Sequence, residues 1–194
     1  MKRKDEYQIQ ELPKYLAQKE VETLFKKIKD RRDKALFALI YRYGLRVSEA
    51  MLLTPKDIDY NRKKVSIRRV KNGISAERRL YPDVERLLKT YLKVRKNTGS
   101  ALFTGREGNL KRTMIYKLFK NYAKKAKLKT EYSVHSLRHS CGVHLLEAGA
   151  DIREVQDFLG HRNIQNTLIY TQITDKIRRR TDDLAEFSPE IVRM

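Results

Sequence analysis

All four histidines of the chain (His135, His139, His144, His161) fall in one stretch, HSLRHSCGVHLLEAGADIREVQDFLGHRNIQNTLIY at 135–170, with its only cysteine, Cys141, and with Tyr170 at the end. His135 and Arg138 are three apart, so a helix start puts both on one side. His161 follows Gly160, which stops a helix, and Tyr170 comes nine positions later. Two imidazoles, a guanidinium and a phenol can therefore converge on one small anion. A phenol has a pKa of about 10, so it attacks only when a neighbour takes its proton and another group stabilises the charge that develops. Arginine suits a phosphate, because its planar fork donates two parallel hydrogen bonds and keeps its charge. Histidine accepts or gives a proton near neutrality. The set fits attack of a tyrosyl oxygen on a phosphodiester.

The elements that must hold these groups read mostly as helices. Ser136 to Glu147 has helical spacing, with Leu137, Cys141, His144 and Leu145 on one stripe, and Gly149 ends it. Asp151 caps the next helix, and Asn163 opens a short one before Tyr170. Upstream, Ala17 to Ile28 and Asp33 to Tyr43 are helical, and Ser48 can cap a short helix from Glu49 to Leu53. Lys64 to Val70 alternates as a strand, Asn72-Gly73 is a turn signal, and Glu77 to Tyr81 returns as its partner. Pro82 starts a helix to about Lys96, and Phe103 to Asn109 reads as a loop. Lys111 to Lys129 is strongly amphipathic, with Ile115, Leu118, Phe119, Tyr122 and Ala126 inside and Lys117, Lys120, Lys124 and Lys127 outside. The fold class is mainly α with a small antiparallel β-sheet.

Lysine and arginine total 44 against 24 acids, a net charge of +20 over 194 residues. Such an imbalance repels itself and points to a polyanionic partner. Basic residues spread along the whole chain favour nucleic acid over a membrane surface. The segment 111–130 holds eight basic residues and no acid, which favours contact with a phosphate backbone. One cysteine forms no internal disulfide, the N-terminus lacks the apolar run of a signal peptide, and the longest apolar run, ALFALIY at 35–41, is too short to span a bilayer. A soluble intracellular protein is expected, without a membrane partner. Asp57 and Asp59 lack further ligands at calcium-loop spacing and read as a turn, while HSLRH has Ser136 where a zinc protease motif needs its glutamate. No metal or other cofactor is expected. His139 and His144 read as structural residues on an apolar face, and Cys141 as a small core residue.

With these residues in view, H-S-L-R-H at 135–139, L-G-H-R at 159–162 and T-L-I-Y-T at 167–171 resemble the tyrosine recombinase (phage integrase) family. Y-G-L-R-V-S-E at 43–49 resembles the box carrying that family's first arginine, here Arg46, and V-K-N-G at 70–73 stands in the place of the hairpin carrying its lysine, here Lys71. N-G-I-S-A after Lys71 is longer than the turn of many members. The resemblance implies a catalytic domain over 12–173, with a flexible segment at 1–11 and a C-terminal tail at 174–194 that docks in cis or in a neighbouring protomer. In that tail Ile177, Leu184 and Ile191 recur every seven residues, and Ser188-Pro189 interrupts them.

The resemblance also implies roles. Arg46 and Arg138 would grip the scissile phosphate, whose charge grows in the transition state. His135 would take the tyrosine proton or hold the phosphate, and His161 would donate a hydrogen bond to it. Lys71 would protonate the leaving 5′ oxygen, and Tyr170 would form a 3′-phosphotyrosyl bond that permits religation without ATP or metal. Arg68, Arg69, Lys117, Lys120, Lys124 and Lys127 would bind DNA. A site-specific DNA recombinase is then expected, nucleoid-associated in the cytoplasm. It would act on double-stranded DNA as a homotetramer through a Holliday junction, and be monomeric or weakly associated without DNA. The alternatives are a type IB topoisomerase, against which the L-G-H box and the tail speak, and a non-catalytic DNA-binding regulator, against which six filled catalytic positions speak. Most of the family carries a separate N-terminal DNA-binding domain. Since little precedes Leu12, either a natural single-domain member, aided by an accessory DNA-binding protein, or an excised catalytic fragment is expected.

Overall fold

The computed structural model describes residues 13–69, 75–96, 99–105 and 108–171. It is mainly helical with small antiparallel sheets, as the patterns predict. The helices are α1 (Gln18–Lys27), α2 (Arg31–Arg42), α3 (Val47–Leu52), α4 (Pro82–Leu92), α5 (Arg112–Lys125), α6 (Val134–Glu147), α7 (Ile152–Leu159) and α8 (Gln165–Leu168). The strands are β1 (Ile58–Asp59), β2 (Lys64–Ile67), β3 (Ala76–Arg79), β4 (Thr104–Gly105) and β5 (Gly108–Asn109).

The centre is α2, where every residue from Ala35 to Ile40 is buried and Tyr43 beyond them is fully enclosed. It packs against α4 on one side and α6 on the other. Asp30 caps it by accepting from the Asp33 N–H at 3.0 Å. The β1–β2–β3 sheet is an antiparallel meander with Val65 opposite Arg78 and Ile67 opposite Ala76. Its alternation buries Val65 and Ile67 as expected. The turn at Asn72-Gly73, with Lys71, lies outside the described residues, as does the C-terminal tail.

Several boundaries differ from those the sequence predicts. Helix α3 starts at Val47, two residues before the expected Glu49, because the carboxylate of Glu49 at the third helical position accepts the Arg46 N–H at 2.8 Å and takes the capping part assigned to Ser48. Residues 103–109 are a loop in the sequence reading, yet β4 and β5 pair within them, Thr104 opposite Asn109. Helix α5 ends at Lys125, so Lys127 sits beyond it in a left-handed backbone conformation. Asp57 and Asp59 act as turn residues: Asp57 accepts from the Thr54 N–H and hydroxyl, and Asp59 from the N–H groups of Asn61 and Arg62.

Two apolar clusters divide the interior. The larger joins α1 to α5, the three-stranded sheet and the start of α6. The smaller is built from Cys141, Val143, Leu146, Val155, Leu159 and Tyr170, and it fastens α7 and the end of the described chain to the back of α6. Among the described residues no helix is long and apolar enough to cross a membrane.

Candidate active site

Helix α6 is buried nearly all round, so its few polar side chains have little choice of direction. Arg138 is one of them. Its side chain is 5% exposed and donates to the carbonyls of Gly44 and Leu159, the second at 2.9 Å. Those carbonyls lie just before α3 and at the end of α7, so Arg138 ties both elements to α6. Burial, then the positive Arg46, pulls its pKa down to about 10, and it stays charged at neutrality.

Beneath the pocket lies Glu49, whose side chain is fully buried. It pairs with Arg46 at 2.7 Å and Arg69 at 2.7 Å, with Arg138 at 3.6 Å. Burial alone disfavours its charged form, but the Arg69 charge and the hydrogen bonds from Arg46 and Arg69 outweigh that, holding the carboxyl below the usual range. One carboxylate among three guanidiniums leaves a positive excess facing the pocket. Arg46 is 24% exposed and is the guanidinium of the three that reaches solvent most.

Arg69 corrects the sequence reading. Expected on DNA, its side chain is 2% exposed, ion-paired to Glu49, and donates to the carbonyls of Tyr43 and Phe158 at 3.3 and 2.6 Å. It is a buried brace between β2, α3 and α7. Arg68 is exposed and paired with Asp57 at 2.7 Å.

The other members arrive on α6, α7 and α8. His135 lies in the first turn of α6, exposed, its ring 6.0 Å from that of Tyr116 on α5. Desolvation on its buried side, then Arg138, Arg112 and Arg46, holds its pKa below the ordinary value. Asp151 caps α7 and Gly160 ends it with φ 66°, both as read from the sequence. That left-handed turn delivers His161, whose Nδ1 is 2.9 Å from the Thr167 hydroxyl and whose ring stacks on Tyr170, centroids 6.5 Å apart. Burial and then the nearby arginines push His161 down to about 3, so it is neutral at pH 7.

Tyr170 is 1% exposed. Gly142 makes room for its ring, since a Cβ there would stand 2.8 Å from Cε2. Burial raises its pKa to about 12 despite the opposing charge of Arg138. Its hydroxyl lies 2.9 Å from Nδ1 of His139. His139 therefore belongs to the site and is not the structural residue the apolar stripe suggested. The available signal was its spacing: His135 and His139 are four apart, so one helical face presents both. His144 and Cys141 are structural as read, His144 Nδ1 lying 2.8 Å from the Tyr41 hydroxyl and Cys141 being buried.

Arg46, His135, Arg138, His139, His161 and Tyr170 line one cavity of about 270 Å³, with Asn166 and Ile169 completing its wall. Five of the six residues singled out as catalytic are thus brought together, and the sixth, Lys71, lies outside the described residues. Among the described residues no three His, Cys, Asp or Glu side chains are grouped to hold a metal ion. On α5, Lys117, Lys120 and Lys124 are exposed, and among the described residues none is paired with a carboxylate. Lys117 and Lys120 border a cleft with Tyr116, the residue that adjoins His135.

The pocket can hold a singly charged oxyanion between arginines beside a buried phenol. Residues 14–176 match the family described as Phage integrase. The chain is 37% identical over 168 residues to the type 1 fimbriae regulatory protein FimE of Escherichia coli (strain K12), covering 81% of this chain and 85% of that protein. It is 35% identical over 189 residues to the tyrosine recombinase XerA of Pyrococcus horikoshii, covering 93% of this chain and 64% of that protein. Among solved structures, a XerA recombinase superposes with a TM-score of 0.79 at 26% identity, over 92% of this chain and 66% of that one. A XerH site-specific recombinase bound to difH substrate superposes with a TM-score of 0.72 at 26% identity, over 82% of this chain and 50% of that one. The chain belongs to the phage integrase family and is a tyrosine-type site-specific DNA recombinase.

Proposed function

We propose that the chain cuts and rejoins double-stranded DNA through Tyr170. Arg46 and Arg138 bind the non-bridging oxygens of the scissile phosphate, and His135 and His161 add hydrogen bonds to it. The Tyr170 oxygen attacks phosphorus and the bond to the 5′ oxygen breaks, with Lys71 as the acid that protonates the leaving group. The 3′-phosphotyrosyl bond conserves the energy of the broken strand for religation. The observation that carries this reading is a tyrosine hydroxyl opening onto a cavity whose two arginines, Arg46 and Arg138, share a buried counter-charge. Such pre-set positive charge accelerates phosphoryl transfer because the phosphate gains negative charge on the way to the transition state.

Four protomers on two duplexes, exchanging strands through a Holliday junction, complete the reaction. Lys117, Lys120, Lys124, Lys127 and Arg68 hold the DNA backbone, helped by an accessory DNA-binding protein if the chain is a natural single-domain form, and the enzyme works at the nucleoid in the cytoplasm.

The test is covalent trapping. Nicked duplexes carrying candidate sites, such as any inverted repeats beside the gene, are mixed with the protein without metal and run on a denaturing gel. A protein–DNA adduct that Tyr170→Phe abolishes is the expected result. Tight DNA binding with no adduct on any substrate overturns the assignment of Tyr170. Sedimentation of the trapped complex then reads the number of protomers, four being expected.

A further inference from the structure

The family resemblance implies that His135 takes the tyrosine proton or holds the phosphate, but the imidazole at the phenol is that of His139. Among the described residues the hydrogen-bond partner of the Tyr170 hydroxyl is His139, at 2.9 Å, with the two rings 5.8 Å apart. His161 faces elsewhere: its ring lies nearly parallel to that of Tyr170, at 24°, and its Nδ1 is engaged by the Thr167 hydroxyl. His135 sits one turn before His139 on α6, at the exposed mouth against Tyr116. The site thus separates three imidazoles into one at the mouth, one stacked on the nucleophile and one bonded to its reacting atom.

We propose that His139 is a catalytic residue whose Nδ1 receives the phenolic proton of Tyr170 during attack and returns it on religation. The inference rests on Tyr170 being the nucleophile. The Tyr170 oxygen bonds to phosphorus, its proton passes to His139 Nδ1, the bond from phosphorus to the 5′ oxygen breaks, and that oxygen takes a proton from the general acid of the proposed function, Lys71. In religation the 5′ hydroxyl attacks, the tyrosyl oxygen leaves, and His139 gives the proton back.

The resting site explains why the phenol stays inert without DNA. Burial, with His135 and Arg138 adding repulsion, holds His139 down at about 4, while burial holds Tyr170 up at about 12. The imidazole is therefore neutral and able to accept, but a proton has no reason to move. The groups around it are Arg46, Arg138, His135 and His161, with Glu49 below them. A bound phosphodiester brings a negative charge against these cations, raises the basicity of His139 and draws off electron density from the phenol as the bond to phosphorus forms.

Two measurements test this on the full chain. Nitrogen-15 NMR of the DNA-free protein at pH 7 should show His139 with its proton on Nε2 and a bare Nδ1, whose shift moves in Tyr170→Phe. A His139 ring carrying its proton on Nδ1 overturns the proposal. The second uses His139→Gln, which keeps a polar side chain of similar size but cannot carry a proton. On whichever nicked duplex gives the wild-type adduct, its rate of adduct formation should fall about 100-fold and then climb with pH, while DNA binding in a gel shift and the melting temperature stay near wild type. Replacing the scissile 5′ oxygen by sulfur, a leaving group that needs no acid, should leave that defect in place. Wild-type rates in His139→Gln, or full recovery with the sulfur substrate, overturn the proposal. Absence of any adduct from the wild-type protein is a different failure, which removes Tyr170 as nucleophile and this inference with it.

Discussion

At the scale of single residues, the site is a charge arrangement that depends on one carboxylate. Glu49 is the acid that holds Arg46 and Arg69 at 2.7 Å each and stands 3.6 Å from Arg138. Removing one partner of a buried charge set leaves the others uncompensated, which costs about 3–5 kcal/mol. Glu49→Gln should therefore lower the melting temperature by roughly 6–20 °C, and should slow adduct formation because Arg46 loses its anchor. Calorimetry and the trapping gel read the two effects. The pH dependence follows from the same surroundings. His139 and His161, at about 4 and about 3, lie below the ordinary 6.5, so on acidification the unfolded chain takes protons that the folded chain refuses. Stability should fall as pH drops from about 6.5 toward 4, and a His139→Gln/His161→Gln double variant should show a flatter fall in that window. Glu49 adds a second loss at lower pH: its folded pKa is depressed, so its contribution is full above the unfolded value and disappears as pH falls through the folded one.

At the scale of elements, α7 is the part that presents the site, and its two ends do different work. Asp151 accepts from the Arg153 N–H at 2.7 Å and only caps the helix. Gly160 turns the chain at φ 66°, where a Cβ would also meet Arg69 Nε at 2.8 Å. Arg69 cannot swing aside without leaving Glu49 and the Phe158 carbonyl. Asp151→Ala should cost about 1 kcal/mol and leave adduct formation unchanged. Gly160→Ala should cost about 2 kcal/mol or more from backbone strain and lower adduct formation as well, because the turn aims His161. Melting curves beside the trapping gel separate the two. The caps of α7 were legible because they are local: a carboxylate three residues before an acid, and a glycine after a leucine. The amphipathic stripe of α5 was legible for the same reason. Helix α3 was misplaced because two oxygens, those of Ser48 and Glu49, competed for one cap, and only the surrounding arginines decide it. Arg69 was misread because an arginine ending a basic strand looks solvated until the distant Glu49 closes over it. His139 was missed because its meaning depends on α7 and α8 turning Tyr170 back onto α6, a contact thirty-one residues away in sequence.

At the scale of the whole molecule, a net charge of +20 says that the chain meets a polyanion, but not which face does so. Internal pairing narrows the choice. Many surface cations are paired with acids, among them Lys63 and Lys89 with Glu85, Lys64 with Glu77, Arg42 with Asp83 and Arg78 with Asp157. Among the described residues Lys117, Lys120 and Lys124 on α5 have no such acid, and the row starts beside Tyr116, which touches His135 at the mouth of the cavity. A duplex whose phosphate enters that mouth would run its neighbouring phosphates along this row. Each lysine neutralising a phosphate releases a counterion, which adds about 0.9 to the slope of log affinity against log salt. Lys117→Gln/Lys120→Gln/Lys124→Gln should therefore shallow the slope by about 3, with little change in melting temperature because the side chains are exposed. Lys26→Gln/Lys27→Gln on α1 removes exposed charge from another helix and serves as the control. Fluorescence anisotropy with a labelled duplex over a salt series measures both. A slope that falls in proportion to the charge removed in either variant would mean that DNA senses only total charge. A loss confined to the α5 variant would fix the path of the backbone across the enzyme, leading from that helix past His135 to Tyr170.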